Sequence, residues 1–201
     1  MSYLRYCMAA MLVLCLAIPA FSGTVDLPTG IATYSVLEQS GPDNGATGTA
    51  KVVTPSDADW SVTWVANSAA SSWIAYDPNN AHDNGLGTYS TTFTLNSSDL
   101  STASISGTWT LDDSGELVLN GNVIATLGDG HWGFLFGFPS VPAGSSDFVL
   151  GVNTLSLIIT DTDQYLEGVN LDATCRASQA QPRSLSPPPS CCWVRPWASR
   201  V

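Results

Sequence analysis

The chain holds two histidines, His82 and His131, each in a stretch rich in Gly, Asn and Asp. Neither has the makings of a nucleophilic triad. His82 and Asp83 are chain neighbours, whereas a triad's carboxylate reaches the imidazole from elsewhere in the fold. No Gly-x-Ser-x-Gly elbow occurs either. Glycoside hydrolysis needs two carboxyls roughly 5–9.5 Å apart, one with a raised pKa. Asp112, Asp113 and Glu116 are close in sequence, but a hairpin turn is expected to be open to water, which keeps carboxylates ordinary. The expectation is a protein without catalytic residues.

Binding chemistry has more material. Asp77-Pro78-Asn79-Asn80-Ala81-His82-Asp83-Asn84 gathers oxygen ligands in one loop, and Ca²⁺ takes roughly 6–8 oxygens. Asp77, Asn79 and Asp83 are the candidate ligands of a structural Ca²⁺, although EF-hand spacing is absent. The plain alternative is a polar loop whose Asn and Asp only make turns. An indole or phenol offers an apolar face to the C–H face of a sugar, and Trp73, Tyr76 and Trp132 are the candidate contacts. Trp109 shares a face with Ile105 and Leu111, and Trp60 and Trp64 share one with Val62, so all three tryptophans read as core. The stripe Trp132, Phe134, Phe136, Phe138 is broken by Gly133 and Gly137, and most such stripes are core.

These residues must be positioned by strands. Period-two alternation runs through Trp60–Val65, Tyr89–Leu95, Ser104–Leu111 and Leu155–Thr160. Turn residues fence the runs: Asp113-Ser114-Gly115, Asn120-Gly121-Asn122 and Gly128-Asp129-Gly130. Leu117-Val118-Leu119 followed by Asn120-Gly121 and Val123-Ile124-Ala125 predicts a hairpin, because Asn-Gly accepts the positive φ of a type I′ turn. No helical period is sustained. The expected fold is all-β, an antiparallel sandwich of two sheets.

Charge excludes one large class. Seventeen acids lie between Asp26 and Asp172, with Lys51 the one base among them, so a phosphate-binding basic face and a nucleic-acid role are excluded. Cysteine use supports no disulfide framework and no zinc spacing. Residues 1–22 read as an export signal: Arg5, an apolar run from Cys7 to Ile18, Pro19, then Ala20-Phe21-Ser22 before cleavage at Gly23. The run is shorter than a membrane-spanning helix. Residues 23–174 are the expected sandwich domain, and 175–201 a tail of foreign composition, with Pro187-Pro188-Pro189 and Cys191-Cys192-Trp193, expected to be either an ordinary disordered Pro/Arg tail or a frameshifted one. Read in another frame, that tail can open Pro-Glu-Pro and continue as an apolar run, which resembles the sorting signal of PEP-CTERM proteins, the exosortase substrates of Gram-negative bacteria.

The body resembles the same family. Trp73-Ile74-Ala75, Gly87-Thr88-Tyr89 and Thr91-Thr92-Phe93-Thr94-Leu95 are similar to its opening strands, and Thr102 to Trp109 to the next. Asp112-Asp113-Ser114-Gly115 with Leu117-Val118-Leu119-Asn120-Gly121 matches its acidic turn and Leu-Asn-Gly hairpin. Phe148-Val149-Leu150-Gly151-Val152-Asn153-Thr154-Leu155 matches its Phe-Val-x-Gly-x-Asn-Thr-Leu signature. Where the family often carries Arg before Thr-Thr-Phe, this chain has Ser90 and Thr91. The resemblance implies a jelly-roll sandwich of the galactose-binding kind, exported, non-catalytic, at the cell surface or in the exopolysaccharide matrix of a biofilm. Weak carbohydrate binding is the expected role, with extracellular polysaccharide as partner and exosortase as partner only where the sorting tail is intact. The alternative is a purely structural matrix protein cross-linked through divalent cations.

Overall fold

The computed structural model describes residues 22–41, 43–79, 85–162 and 166–178. Twelve strands occur among them: β1 (Ser22–Asp26), β2 (Ser35–Glu38), β3 (Thr47–Thr49), β4 (Lys51–Val52), β5 (Ile74–Ala75), β6 (Leu86–Leu95), β7 (Ser104–Asp112), β8 (Ser114–Leu119), β9 (Asn122–Leu127), β10 (Phe136–Gly137), β11 (Gly151–Thr160) and β12 (Gly168–Ser178). One sheet runs β10-β7-β12-β5-β4, with β1 also beside β12; the other runs β3-β2-β6-β11-β8-β9. The long pairs β6–β11 and β7–β12 are antiparallel and form the middle of each layer. No helix among the described residues is long and apolar enough to cross a membrane.

Alternation explains the layers. On β11, Asn153, Leu155, Leu157 and Ile159 are buried while the residues between them are not. On β12 the buried apolar side chains are Val169, Leu171, Ala173, Cys175 and Ala177, with Asn170 buried as well. These faces meet Tyr89, Phe93 and Leu95 of β6, Leu117 and Leu119 of β8, and Ile105, Trp109 and Leu111 of β7 in one core. The all-β, two-sheet antiparallel sandwich is therefore the observed fold.

Two expectations change. The Trp60–Val65 segment is not a strand: Trp64 N bonds back to Ser61 O and Val62 is 92% exposed. A three-residue alternation lost to local bonding, with Ser61 Oγ and Thr63 Oγ1 paired at 2.7 Å, because no neighbouring strand was there to complete a ladder. The expected boundary at Cys175 also moves. Strand β12 continues through Ser178, and Cys175 is buried between Val25 of β1 and Ile105 of β7. Arg176, whose charge marked a change in composition, falls on the outward-facing side of the same strand and is exposed. Residues 1–21 and 179–201, which hold nearly all of the expected signal and tail, lie outside the described residues.

The predicted hairpin is β8–β9, with φ of 51° at Asn120 and 85° at Gly121. Its turn is tied to β11 by amides. Asn153 Oδ1 accepts from Asn120 Nδ2 at 2.8 Å and Val149 N at 2.9 Å. Asn153 Nδ2 donates to the carbonyls of Val149 and Gly151. Asn120 Oδ1 accepts from Thr154 N, and its Nδ2 also donates to Asp147 O. The Leu-Asn-Gly and Gly-x-Asn-Thr-Leu motifs thus close on each other through two side chains. Replacing Asn153 by Ala removes partners from three part-buried main-chain groups and from the Asn120 amide, an expected loss of roughly 2–3 kcal/mol. In a double-mutant cycle with Asn120→Ala, urea unfolding should give a coupling of about 1–2 kcal/mol; strict additivity would show that the two amides do not act as a unit.

Candidate functional site

A second, smaller cluster lies apart from the main core: Val53, Trp64, Trp73, Ala75 and Leu166, with Trp60, Val65 and Trp132 packed against it. Two loops build it, one before β5 and one before β10. They are held side by side by Val65 N to Trp132 O at 2.9 Å. Trp64 and Trp73 stack at 4.0 Å between centroids and 19° between planes. Gly168 allows this, since a Cβ there would stand 2.8 Å from Trp64 Cη2 and 3.0 Å from Trp73 Cε3. Both indole N–H groups are used: Trp73 Nε1 donates to Val65 O and Trp64 Nε1 to Asp112 Oδ2, each at 2.7 Å.

Above this floor the loops turn apolar groups outward. Phe134 is 72% exposed, with Phe136 edge-on at 6.4 Å and His131 edge-on to Phe136 at 5.0 Å. Trp60 and Trp132 are half-buried beside them, Trp60 lying edge-on to Trp64 at 6.2 Å. His131 is fixed through Nδ1 to Gly128 O, and Thr110 Oγ1 donates to His131 O. The result is an aromatic surface with hydroxyls of Ser61 and Thr63 on the adjoining loop.

The sequence-derived contacts divide. Trp132 belongs to this surface. Trp73 has no exposed surface, so it supports the platform from beneath and is corrected from contact to floor. Tyr76 lies elsewhere, over Gly48 and against the main core, with its N–H donating to Tyr89 Oη. Phe134 was read as part of a core stripe, and only Phe138 of that stripe is fully in the core. Burial of one indole and exposure of one phenyl depend on how two loops pack, which no local periodicity records.

At the end of the sandwich where β6 and β12 begin, six carboxylates are buried: Glu38, Asp59, Asp112, Asp113, Asp161 and Glu167. The expectation that Asp112 and Asp113 face water is corrected. Asp112 receives the Trp64 indole N–H, and Asp113 Oδ2 receives both the N–H and the Oγ1–H of Thr162 at 2.9 Å. Glu116 lies apart from them, on β8 opposite Ile158. Glu167 Oε1 accepts from Tyr89 Oη at 2.7 Å. Lys51 does not serve these acids; it reaches Asp77 at 3.8 Å, and both are well exposed. Asn79 N approaches the same Asp77 carboxylate at 3.4 Å, an Asx-type turn. Asp83 lies outside the described residues. Among those described, no group of three or more His, Cys, Asp or Glu side chains converges as a metal site.

Burial, reinforced by Asp43, pushes the Glu38 carboxyl up to about 7. Tyr89 lies on the neighbouring strand β6 of the same sheet and Glu167 just before β12 of the other, and burial together with the Glu167 and Glu38 charges drives the Tyr89 phenol far upward.

No protein-family model and no curated protein matches the chain. Several solved structures are similar to it. A family 35 carbohydrate-binding module from Clostridium thermocellum is 10% identical, with 76% of this chain and 97% of that one covered and a TM-score of 0.41. CBM35 from Paenibacillus barcinonensis is 16% identical over 79% of this chain and 99% of that one, at a TM-score of 0.39. A GH2 β-galacturonidase from Eisenbergiella tayi is 12% identical at a TM-score of 0.43, and the match covers 75% of this chain and 24% of the enzyme. The chain thus spans about a quarter of that enzyme's length.

A carboxyl whose folded pKa is raised binds a proton more readily than the unfolded chain does, so stability falls as pH climbs from the unfolded value through the folded one. In chelator, Tm should therefore drop between pH 5 and pH 8, with the Glu38 contribution on the order of 2 kcal/mol. Glu38→Gln should flatten that slope in differential scanning calorimetry; an unchanged slope would remove Glu38 as its source.

Proposed function

We propose that the chain is an exported, non-catalytic β-sandwich that binds neutral carbohydrate of the cell surface or exopolysaccharide matrix through the loops carrying Trp60–Thr63 and His131–Phe136. The observation that carries this is Phe134, a phenyl ring 72% exposed and edge-on to Phe136, on the loop that also carries half-buried Trp132. Exposed apolar rings gathered on neighbouring loops are a common mark of a ligand-binding surface. Flat apolar rings flanked by hydroxyls and an imidazole fit the alternating C–H and O–H groups of a pyranose. The acidic body disfavours polyanionic chains and leaves neutral ones. Two of the similar structures are carbohydrate-binding modules by name; the reading stands on the aromatic loops.

A structural divalent cation belongs to the same proposal, because Glu38 is buried with its Oε1 left without a hydrogen-bond partner. Export and the tail's resemblance to an exosortase signal are further parts of it. The coding DNA downstream of Arg176 tests the resemblance directly, since the apolar run must appear there in another frame.

Affinity electrophoresis through gels cast with a panel of neutral polysaccharides tests the binding. The wild type should be retarded by at least one, and Phe134→Ala should weaken binding about tenfold with Tm unchanged. No retardation, combined with self-association on adding Ca²⁺, would favour the cation-linked matrix reading.

A further inference from the structure

Glu38 is the last residue of β2 and points inward, on the same side as Val36. It sits in register with Gly87 of β6. Facing it across the gap between the sheets is Glu167, next to the first residue of β12. Gly87 keeps the space between them open. A Cβ at that position would stand 2.7 Å from Glu167 Oε1 and 3.1 Å from Glu38 Oε2.

The two carboxylates are not equally served. Glu167 Oε1 accepts from Tyr89 Oη. Glu38 is 3% exposed, and its Oε1 is buried without any hydrogen-bond partner. A buried carboxylate oxygen left without a donor is costly, and Lys51, the one base between Asp26 and Asp172, reaches Asp77 instead. An orphaned oxygen, a facing carboxylate and a cradle kept clear by a glycine together describe a place for a positive charge.

We propose that Glu38 and Glu167 hold a hard divalent cation of the Ca²⁺ class over Gly87, bridging the two sheets at the acidic end. Hard cations prefer carboxylate oxygen, and with roughly 6–8 ligands in the shell the remaining positions fall to water and main-chain carbonyls. The inference rests on the cation part of the function proposed above and is independent of glycan binding. It places the ion between the sheets rather than in the loop of Asp77 and Asn79, whose carboxylate already has Lys51.

The test uses the full chain freed of metal with chelator. Tyr89 contacts Glu167, so Tb³⁺ bound here should luminesce on excitation of tyrosine, and Ca²⁺ should displace it. Added Ca²⁺ should raise the Tm of the wild type. Glu38→Gln should remove a ligand and weaken Tb³⁺ binding roughly tenfold or more, while raising the Tm of the metal-free protein. Gly87→Ala, which fills the cradle, should abolish the Ca²⁺-induced rise by a separate route. Asp77→Asn should leave both readouts at wild-type values. If Glu38→Gln and Gly87→Ala respond to Ca²⁺ like the wild type, or Asp77→Asn abolishes the response, the location is overturned while the cation reading stands. A wild type indifferent to Ca²⁺ and Tb³⁺ overturns both.

Discussion

A carboxylate that leaves water needs a cation or several hydrogen-bond donors, and between Asp26 and Asp172 this chain supplies seventeen carboxylates and one lysine. Six of them are nevertheless buried at one end of the sandwich. The fold meets this demand with neutral donors: an indole N–H for Asp112, a phenol O–H for Glu167, and a hydroxyl with its own main-chain N–H for Asp113. Each donor comes from a different part of the chain than its acceptor. The acids therefore tie loops and strands that are distant in sequence to one another.

The opposite end is closed by different chemistry. There Asn120 and Asn153 satisfy one another and the surrounding main chain with uncharged amides. Such a network has no dependence on protons or ions. The two ends of one sandwich thus differ in kind: one is closed by uncharged amides, while the acidic end contains Glu38, with its carboxyl raised to about 7. Conformational opening that depends on pH or ions belongs at the end where β6 and β12 begin.

What the sequence disclosed follows this division. Strands β6, β7 and β11 and the β8–β9 hairpin were legible because long alternation and an Asn-Gly turn are local signals. Trp109 read as core for the same reason. Trp73 did not read as buried, since it is covered by a loop that stacks Trp64 over it, and sequence spacing carries no trace of that contact. Cys175 was misplaced because the change in composition began one turn of alternation too early; Ala173, Cys175 and Ala177 continue the buried face, and only outward Arg176 signals a break. Glu38 gave no sign at all. A glutamate ending Ser35-Val36-Leu37-Glu38 looks like a solvated strand end, and the informative facts, inward parity with Val36 and a glycine opposite, exist only once β2 has found β6. One signal was available: acids gathered at strand ends, Asp112 closing β7, Asp161 after β11 and Glu167 before β12.

The two candidate surfaces are one mechanical unit because Trp64 belongs to both. Its N–H is spent on Asp112 and its ring on Trp73, while its edge meets Trp60. A ligand landing on Trp60, Trp132 and Phe134 would gain affinity in proportion to how little those loops must be ordered on binding. Their order derives from below, through Trp64, from a carboxylate that must stay paired. An ion that neutralises the acidic end need not touch the ligand to matter; it would hold Asp112 and its neighbours in place and so hold the indole. Loss of rigidity there would weaken binding through a less ordered free state while every ring needed for contact remained present.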